Sequence, residues 1–136
     1  MIFAVAASVL IVIGLTTWIM RHQHSGTQMA AVIDLRDRAV TRGTEPPPSE
    51  PPLKIAHGVS HLDIYLPLGS SEGPYDIRIE AAKSQILHSG AGIAQIMDGV
   101  TVLRIDMNLA SAVPGLYVLE IRKAGSEWSS YPMRIQ

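Results

Sequence analysis

The chain has 136 residues, 47% of them apolar, a formal net charge of -1 and no cysteine. That length allows one domain plus an anchor, and the near-zero charge gives nucleic acid no electrostatic footprint to bind. Without cysteine there are no disulfides and no thiolate metal sites, so a small domain must rest on its apolar core.

The chain opens "MIFAVAASVLIVIGLTTWIM", with no charged side chain between Ile2 and Met20. At ~1.5 Å per residue such a run covers the ~30 Å hydrocarbon core of a bilayer, and it reads as a transmembrane helix over residues 1–21. Trp18 and Arg21 fall where aromatic and basic side chains meet the headgroups. A cleaved signal peptide fits less well, because the run is long, lacks a basic start and has no small-x-small site. Ala4 and Ser8 form one small-xxx-small pair and Gly14 stands alone, a weak signal for homodimerisation through the membrane. Counting basic residues alone, Arg21, Arg36 and Arg38 favour a cytoplasmic C-terminal side.

Residues 22–29 form a juxtamembrane linker. Residues 30–42 hold the alternation of Ile33 and Leu35 against Asp34 and Arg36, which suits first strands. In "RGTEPPPSEPP", five of the nine prolines fall between Pro46 and Pro52. Residues 43–52 are therefore a polyproline-type linker or a crossover. Pro48 and Pro51 satisfy PxxP, but no basic residue flanks them, which favours a spacer over a ligand motif.

From residue 53 to 136 the period becomes two. Leu62, Ile64 and Leu66 share one face of "HLDIYLP"; Tyr75, Ile77 and Ile79 one face of "YDIRIE"; Leu103, Ile105, Met107 and Leu109 one face of "LRIDMNL". Tyr117, Leu119 and Ile121, and then Tyr131, Met133 and Ile135, repeat the pattern, with turn signals between the runs. The spacing predicts an all-β, immunoglobulin- or fibronectin-like antiparallel sandwich after the helix. Asp98-Gly99 predicts a tight hairpin between "GIAQIM" and "VTVLRI". Gly90 and Gly92 predict a bulge or a close backbone approach. Pro114 and Gly115 followed by Tyr117 match a tyrosine corner, where the phenol bonds backbone upstream. Pro132 on the outward side of the last strand predicts an edge. Trp128 shares that outward parity; it is the candidate partner contact, with capping the end of the sandwich as its other role.

No catalytic residue is assigned. Gly69-Ser70-Ser71-Glu72-Gly73 satisfies GxSxG, but a strand follows where the nucleophile elbow requires a helix. His57 and His61 stand four apart, a spacing that aligns ligands on a helix, but the segment reads as loop and strand, where His61 and Asp63 share a solvent face; His88 stands alone, and neither metal nor cofactor is expected.

The runs "LDIYLPLGSSEGPYDIRI" and "DGVTVLRIDMNLASAVPGLYVLEIRKAGSEWSSYPMRI", after an apolar helix and "RGTEPPPSEPPL", resemble the extracytoplasmic half of bacterial transmembrane anti-sigma factors. The markers are "LPLGSSEGPY", "PGLY" and "EWSSYP". In such proteins a Cys/His zinc domain precedes the helix; with no Cys and nothing before the helix, that part lies outside the resemblance. The resemblance implies an inner-membrane protein with its C-terminal domain facing the periplasm, against the basic-residue count. The expected function is a non-enzymatic binding or sensing module held in the lipid bilayer, with a protein partner. The alternative is a structural or envelope-assembly piece presenting the sandwich to such a partner.

Overall fold

The computed structural model describes residues 29–38, 41–42, 50–81 and 85–136. The expected membrane helix, its interface residues Trp18 and Arg21, the linker over 22–28 and most of the proline-rich segment lie outside the described residues. Among the described residues no helix is long and apolar enough to cross a membrane.

The described chain is all-β. Its strands are β1 (Met29–Asp34), β2 (Thr41–Arg42), β3 (Leu53–Ile55), β4 (Val59–Tyr65), β5 (Gly73–Ala81), β6 (Gln85–Met97), β7 (Val100–Asp106), β8 (Gly115–Lys123) and β9 (Ser129–Ile135). They form one sheet in the order β1-β4-β7-β6-β5-β8-β9-β2, with β3 also on β9. Alternation drives this arrangement, because in each long strand every second side chain turns to one face. Leu62 and Ile64 of β4, Leu103 and Ile105 of β7, Ile77 and Ile79 of β5, Leu119 and Ile121 of β8, and Met133 and Ile135 of β9 meet in a single buried cluster. Burying each such aliphatic side chain is worth roughly 1.5–3 kcal/mol, and this set holds the sheet wrapped around its core.

Two features differ from the antiparallel expectation. The sheet is mixed: β1 runs parallel to β4, and β3 parallel to β9. It is also continuous, because β6 pairs with β5 from Gln85 to Ala94 and then with β7 from Ala94 to Met97. One long strand thus joins what would be two separate leaves.

The N-terminal segment belongs to the same core. Ile33 and Leu35 are buried in it, and the Leu35 amide extends the β1–β4 pairing by donating to the Tyr65 carbonyl (2.9 Å). Arg36 closes the turn that follows, bonding both carboxylate oxygens of Asp34 and holding that carboxyl down at about 2.

The last strand is not an edge, contrary to the expectation from Pro132. Its outer side is taken by β2 at Ser129 and Ser130 and by β3 from Met133 to Ile135. Pro132 falls in the gap between the two, where its missing N–H costs no ladder bond.

Strand β7 stops at Asp106, short of the expected Leu109. The amides of Met107 and Leu109 still donate to the Ser60 and Val59 carbonyls, so both side chains stay buried. Asp98 (φ 51°) and Gly99 (φ 79°) form the two-residue turn that joins Met97 to Val100, the left-handed pair a tight hairpin needs. The bulge in β6 lies opposite Ile79 and Glu80 rather than at the glycines. Gly92 instead marks a close approach: a Cβ there would stand 2.9 Å from the Arg104 carbonyl oxygen and 3.0 Å from Leu103 Cδ1.

Candidate functional site

At one end of the sheet, the loop over residues 66–72 that leads from β4 into β5 faces the turn over residues 124–128 between β8 and β9. Between them lies a cavity of about 570 Å³. Ile121, Tyr75 and Tyr131, all buried, contribute its apolar wall.

The loop is fixed from several sides. Leu66 N donates to Thr101 O (2.9 Å), and Thr101 Oγ1 donates to Ser70 O (2.7 Å). Glu72 accepts the Ile96 amide at 2.9 Å, and Tyr75 Oη donates to Ser71 O at 2.9 Å. Lys123 Nζ donates to Ser71 Oγ at 2.6 Å and so ties the loop to β8. The opposite wall is held by Ala124 N on Pro74 O (3.0 Å) and Ser126 N on Lys123 O (2.9 Å). A loop tied to β6, β7 and β8 is ordered before any ligand arrives.

The polar groups on the cavity are Ser70, Arg122, Lys123, Ser126, Glu127, Ser129 and Tyr131. Burial, reinforced by the negative charge of Glu50 and opposed by a bond with Ser129, pushes the Tyr131 phenol up to about 12, so it stays a neutral hydroxyl at working pH. Among the described residues Lys123 pairs with no carboxylate, so its charge is held by a hydroxyl and is open to an anion. Ser71 of the GxSxG stretch is used as that hydroxyl, in a loop leading into β5.

A second cluster covers the outer face of β5 and β8. Arg122 Nε pairs with Asp76 Oδ2 (2.9 Å), and Arg78 pairs with both Glu120 and Glu80. Glu120 sits at an outward position yet is buried, and it also accepts the Ser130 hydroxyl at 3.1 Å. Glu120 above all, with Glu80 adding, raises the Arg78 guanidinium above its ordinary value. Trp128 is stacked between the two arginines, with ring-centre distances of 4.4 Å to Arg78 and 4.3 Å to Arg122. It lies just before β9 over this ladder, half-buried, rather than across the end of the sheet.

The third cluster is on β4 and β7. His61 reaches Asp106 through Nδ1 (2.7 Å) and Asp63 through Nε2 (3.2 Å), and Arg104 lies 3.3 Å from Asp63. Both ring nitrogens are thereby engaged with carboxylates. No group of three or more His, Asp or Glu side chains is arranged to hold a metal among the described residues.

The corner residues stand at the entry to β8. Tyr117 Oη donates to Val113 O at 2.6 Å, spanning Pro114 and Gly115. Gly115 does not have a positive φ; it is the first residue of β8, opposite Ile135. Tyr117, Trp128 and the Asp98-Gly99 turn are therefore separate features, and none of them lines the recess beside Lys123. The cavity had one sequence signal, the Gly- and Ser-rich stretch before "PYDIRI", while the complementary charges of Asp76 and Arg78 against Arg122 and Glu120 announced the β5–β8 pair.

Compared with known proteins, the chain matches no family model, no curated protein and no solved structure.

Proposed function

We propose that this chain is a non-catalytic binding module whose ligand seat is the cavity between residues 66–72 and 124–128. The observation that carries the reading is that recess: loop walls tied down by hydrogen bonds, an apolar wall, hydroxyls and the Lys123 ammonium, which among the described residues has no carboxylate partner. Small-molecule sites combine these features, and in sandwich folds the loops at one end of the strands are where binding is built. An immunoglobulin- or fibronectin-like type is supported by the bond from Tyr117 to Val113 and by β3 running parallel to the last strand. The apolar run from Ile2 to Met20 supports a single-pass anchor, and the resemblance to transmembrane anti-sigma factors supports the outer, periplasmic side of a bacterial inner membrane. On that basis the module is the outer part of an anti-sigma-type signalling protein. The alternative is a structural piece that presents the domain to a protein partner.

The recess is tested by thermal unfolding of the full chain in mild detergent against monocarboxylates, dicarboxylates and uronic acids. An anionic ligand at ten times its Kd stabilises by about 1.4 kcal/mol, on the order of 5 °C or more for a domain this size. The expected result is such a shift with at least one acid and its loss in Lys123→Ala. If no acid raises the Tm, or if Lys123→Ala responds like the parent, the anion seat is wrong. Orientation is read separately: alkaline phosphatase joined after Gln136 is active if the domain is periplasmic and inactive otherwise.

A further inference from the structure

Strand β6 departs from the surface chemistry of the other strands. Each other strand of six residues or more carries at least one Asp, Glu, Lys or Arg, whereas the thirteen residues Gln85–Met97 include none of these and no proline. Among the described residues β6 is paired on both sides only at Ala94, and residues 85–93 have β5 on one side and no strand on the other. Half of the large exposed apolar side chains of the described chain lie on it: Ile86, Leu87, Ile93, Ile96 and Met97. Edge strands are normally blunted by charge, by proline or by a covering segment. The β9 edge shows such cover in β2 and β3, and β1 ends in Asp34. Among the described residues no strand covers the β6 edge, and β6 itself carries no carboxylate, lysine or arginine.

We infer that β6 is the interface between two copies of this chain, joined edge to edge by antiparallel pairing of residues 85–93 about a twofold axis. A second copy is the occupant that fits the chemistry. In a twofold contact each strand meets its own sequence, and a strand free of Asp, Glu, Lys and Arg brings no such like charges face to face. A different extended partner would find none of those side chains there to select it or fix its register. Small Ser89 and Ala91 stand on the exposed face in the middle of the paired stretch, so nothing bulky hinders an approach to the ~4.7–4.9 Å strand spacing. The inward side needs no partner, because Gly92 lies against β7. The interface is remote from the Lys123 cavity and stands whether or not that cavity takes an anion.

The absence of native cysteine makes the test direct. Ser89→Cys, Ala91→Cys and, as control, Ser126→Cys are made singly in the full chain, purified in mild detergent and oxidised with copper phenanthroline. A cysteine at 89, on the twofold axis, is expected to give disulfide-linked dimers at least tenfold faster than the control at 126, and a cysteine at 91, which faces residue 87 of the other copy, to be slow like the control. Adding Ile93→Lys to Ser89→Cys is expected to lower that rate at least tenfold while the melting curve holds, since Ile93 is 69% exposed. Should Ile93→Lys melt early, Ala91→Lys at another exposed position replaces it. Cross-linking at 89 no faster than at 126, cross-linking at 91 as fast as at 89, or a rate indifferent to the added lysine, overturns the interface. So does preferential cross-linking of the Ser89→Cys variant to a different protein in cells. An association made only through the apolar N-terminal run would leave 89 and 126 equally slow, and so counts against the proposal.

Discussion

Glu120 is the buried charge on which the outer face of β5, β8 and β9 converges, and Glu120→Ala is expected to be among the more damaging single changes in this chain. The side chain is 6% exposed and accepts from the Arg78 guanidinium and from Ser130 Oγ, itself buried. Losing a charge-assisted hydrogen bond costs about 1.5–3 kcal/mol, and a buried hydroxyl left without an acceptor adds about 1 kcal/mol. The ~3–5 kcal/mol seen on breaking a fully buried pair is an upper bound, because Arg78 keeps Glu80 at 3.1 Å and remains 29% exposed. The expected loss is therefore about 2–3 kcal/mol, a fall in Tm on the order of 10 °C or more for a domain of this size. Glu120→Gln keeps an acceptor oxygen and should cost about half as much. Unfolding is followed by far-UV circular dichroism, because the fluorescence of Trp128 would change with its arginine neighbours. The double variant Arg78→Ala/Glu120→Ala should fall short of the summed single losses by at least ~0.5 kcal/mol. A Glu120→Ala protein within ~0.5 kcal/mol of the parent, or strictly additive losses, would refute the reasoning that this ladder holds the outer face together.

Tyr117→Phe removes only the bond to Val113 O and should cost about 0.5–1.5 kcal/mol by urea unfolding with an unchanged m-value; no loss would deny the corner a stabilising role. Gly92→Ala should destabilise by roughly 1–3 kcal/mol through overlap with the Arg104 carbonyl, whereas Gly90→Ala, where nothing lies nearer than 3.7 Å, should melt close to the parent. Equal Tm values for the two would dismiss the close approach. The Asp106 carboxylate above all, with Asp63 adding and desolvation opposing, raises the His61 pKa above its ordinary 6.5. A raised folded-state pKa gives stability that is fully present below 6.5 and fades as pH rises through the higher folded value. The parent's advantage over His61→Ala should thus be greatest near about pH 5.5, at most ~1 kcal/mol for so exposed a cluster, and disappear by about pH 9; an advantage that grows with pH would reverse the assignment. Leu35→Ala should cost about 2–5 kcal/mol by denaturant unfolding, since the side chain is fully buried, and a loss below ~0.5 kcal/mol would return residues 30–42 to a stalk.

The inward face of nearly every strand was legible because burial enforces a two-residue period, and Leu62, Ile77, Leu103, Leu119 and Met133 all lie in the core that period predicts. Strand partners were less legible. Parallel pairing of β1 with β4 and of β3 with β9 leaves no turn residue to announce it, unlike Asp98-Gly99. The covered state of Pro132 depends on two short segments about ninety and eighty residues earlier in the chain, beyond any local pattern. The burial of Glu120 was not legible, because parity reports the face of a sheet and not what lies over it. Trp128 and Arg78 supply that cover from distant positions. The cavity was visible only as a loop composition, since its walls come from two loops more than fifty residues apart.

The proposed ligand seat is tied to neighbouring segments of the described chain at two places. Leu35 bonds to Tyr65, and the next residue, Leu66, begins the cavity loop. On the opposite side, Arg38 bonds to Glu50 and to the Pro51 carbonyl (2.7 Å), and Glu50 acts electrostatically on Tyr131, which lines the same cavity. The two walls of the recess are thus each coupled to a residue outside it, the loop through the bond from Leu35 to Tyr65 and Tyr131 through Glu50, so a ligand that bears on either wall would act on Leu35 or on Glu50 through direct contacts.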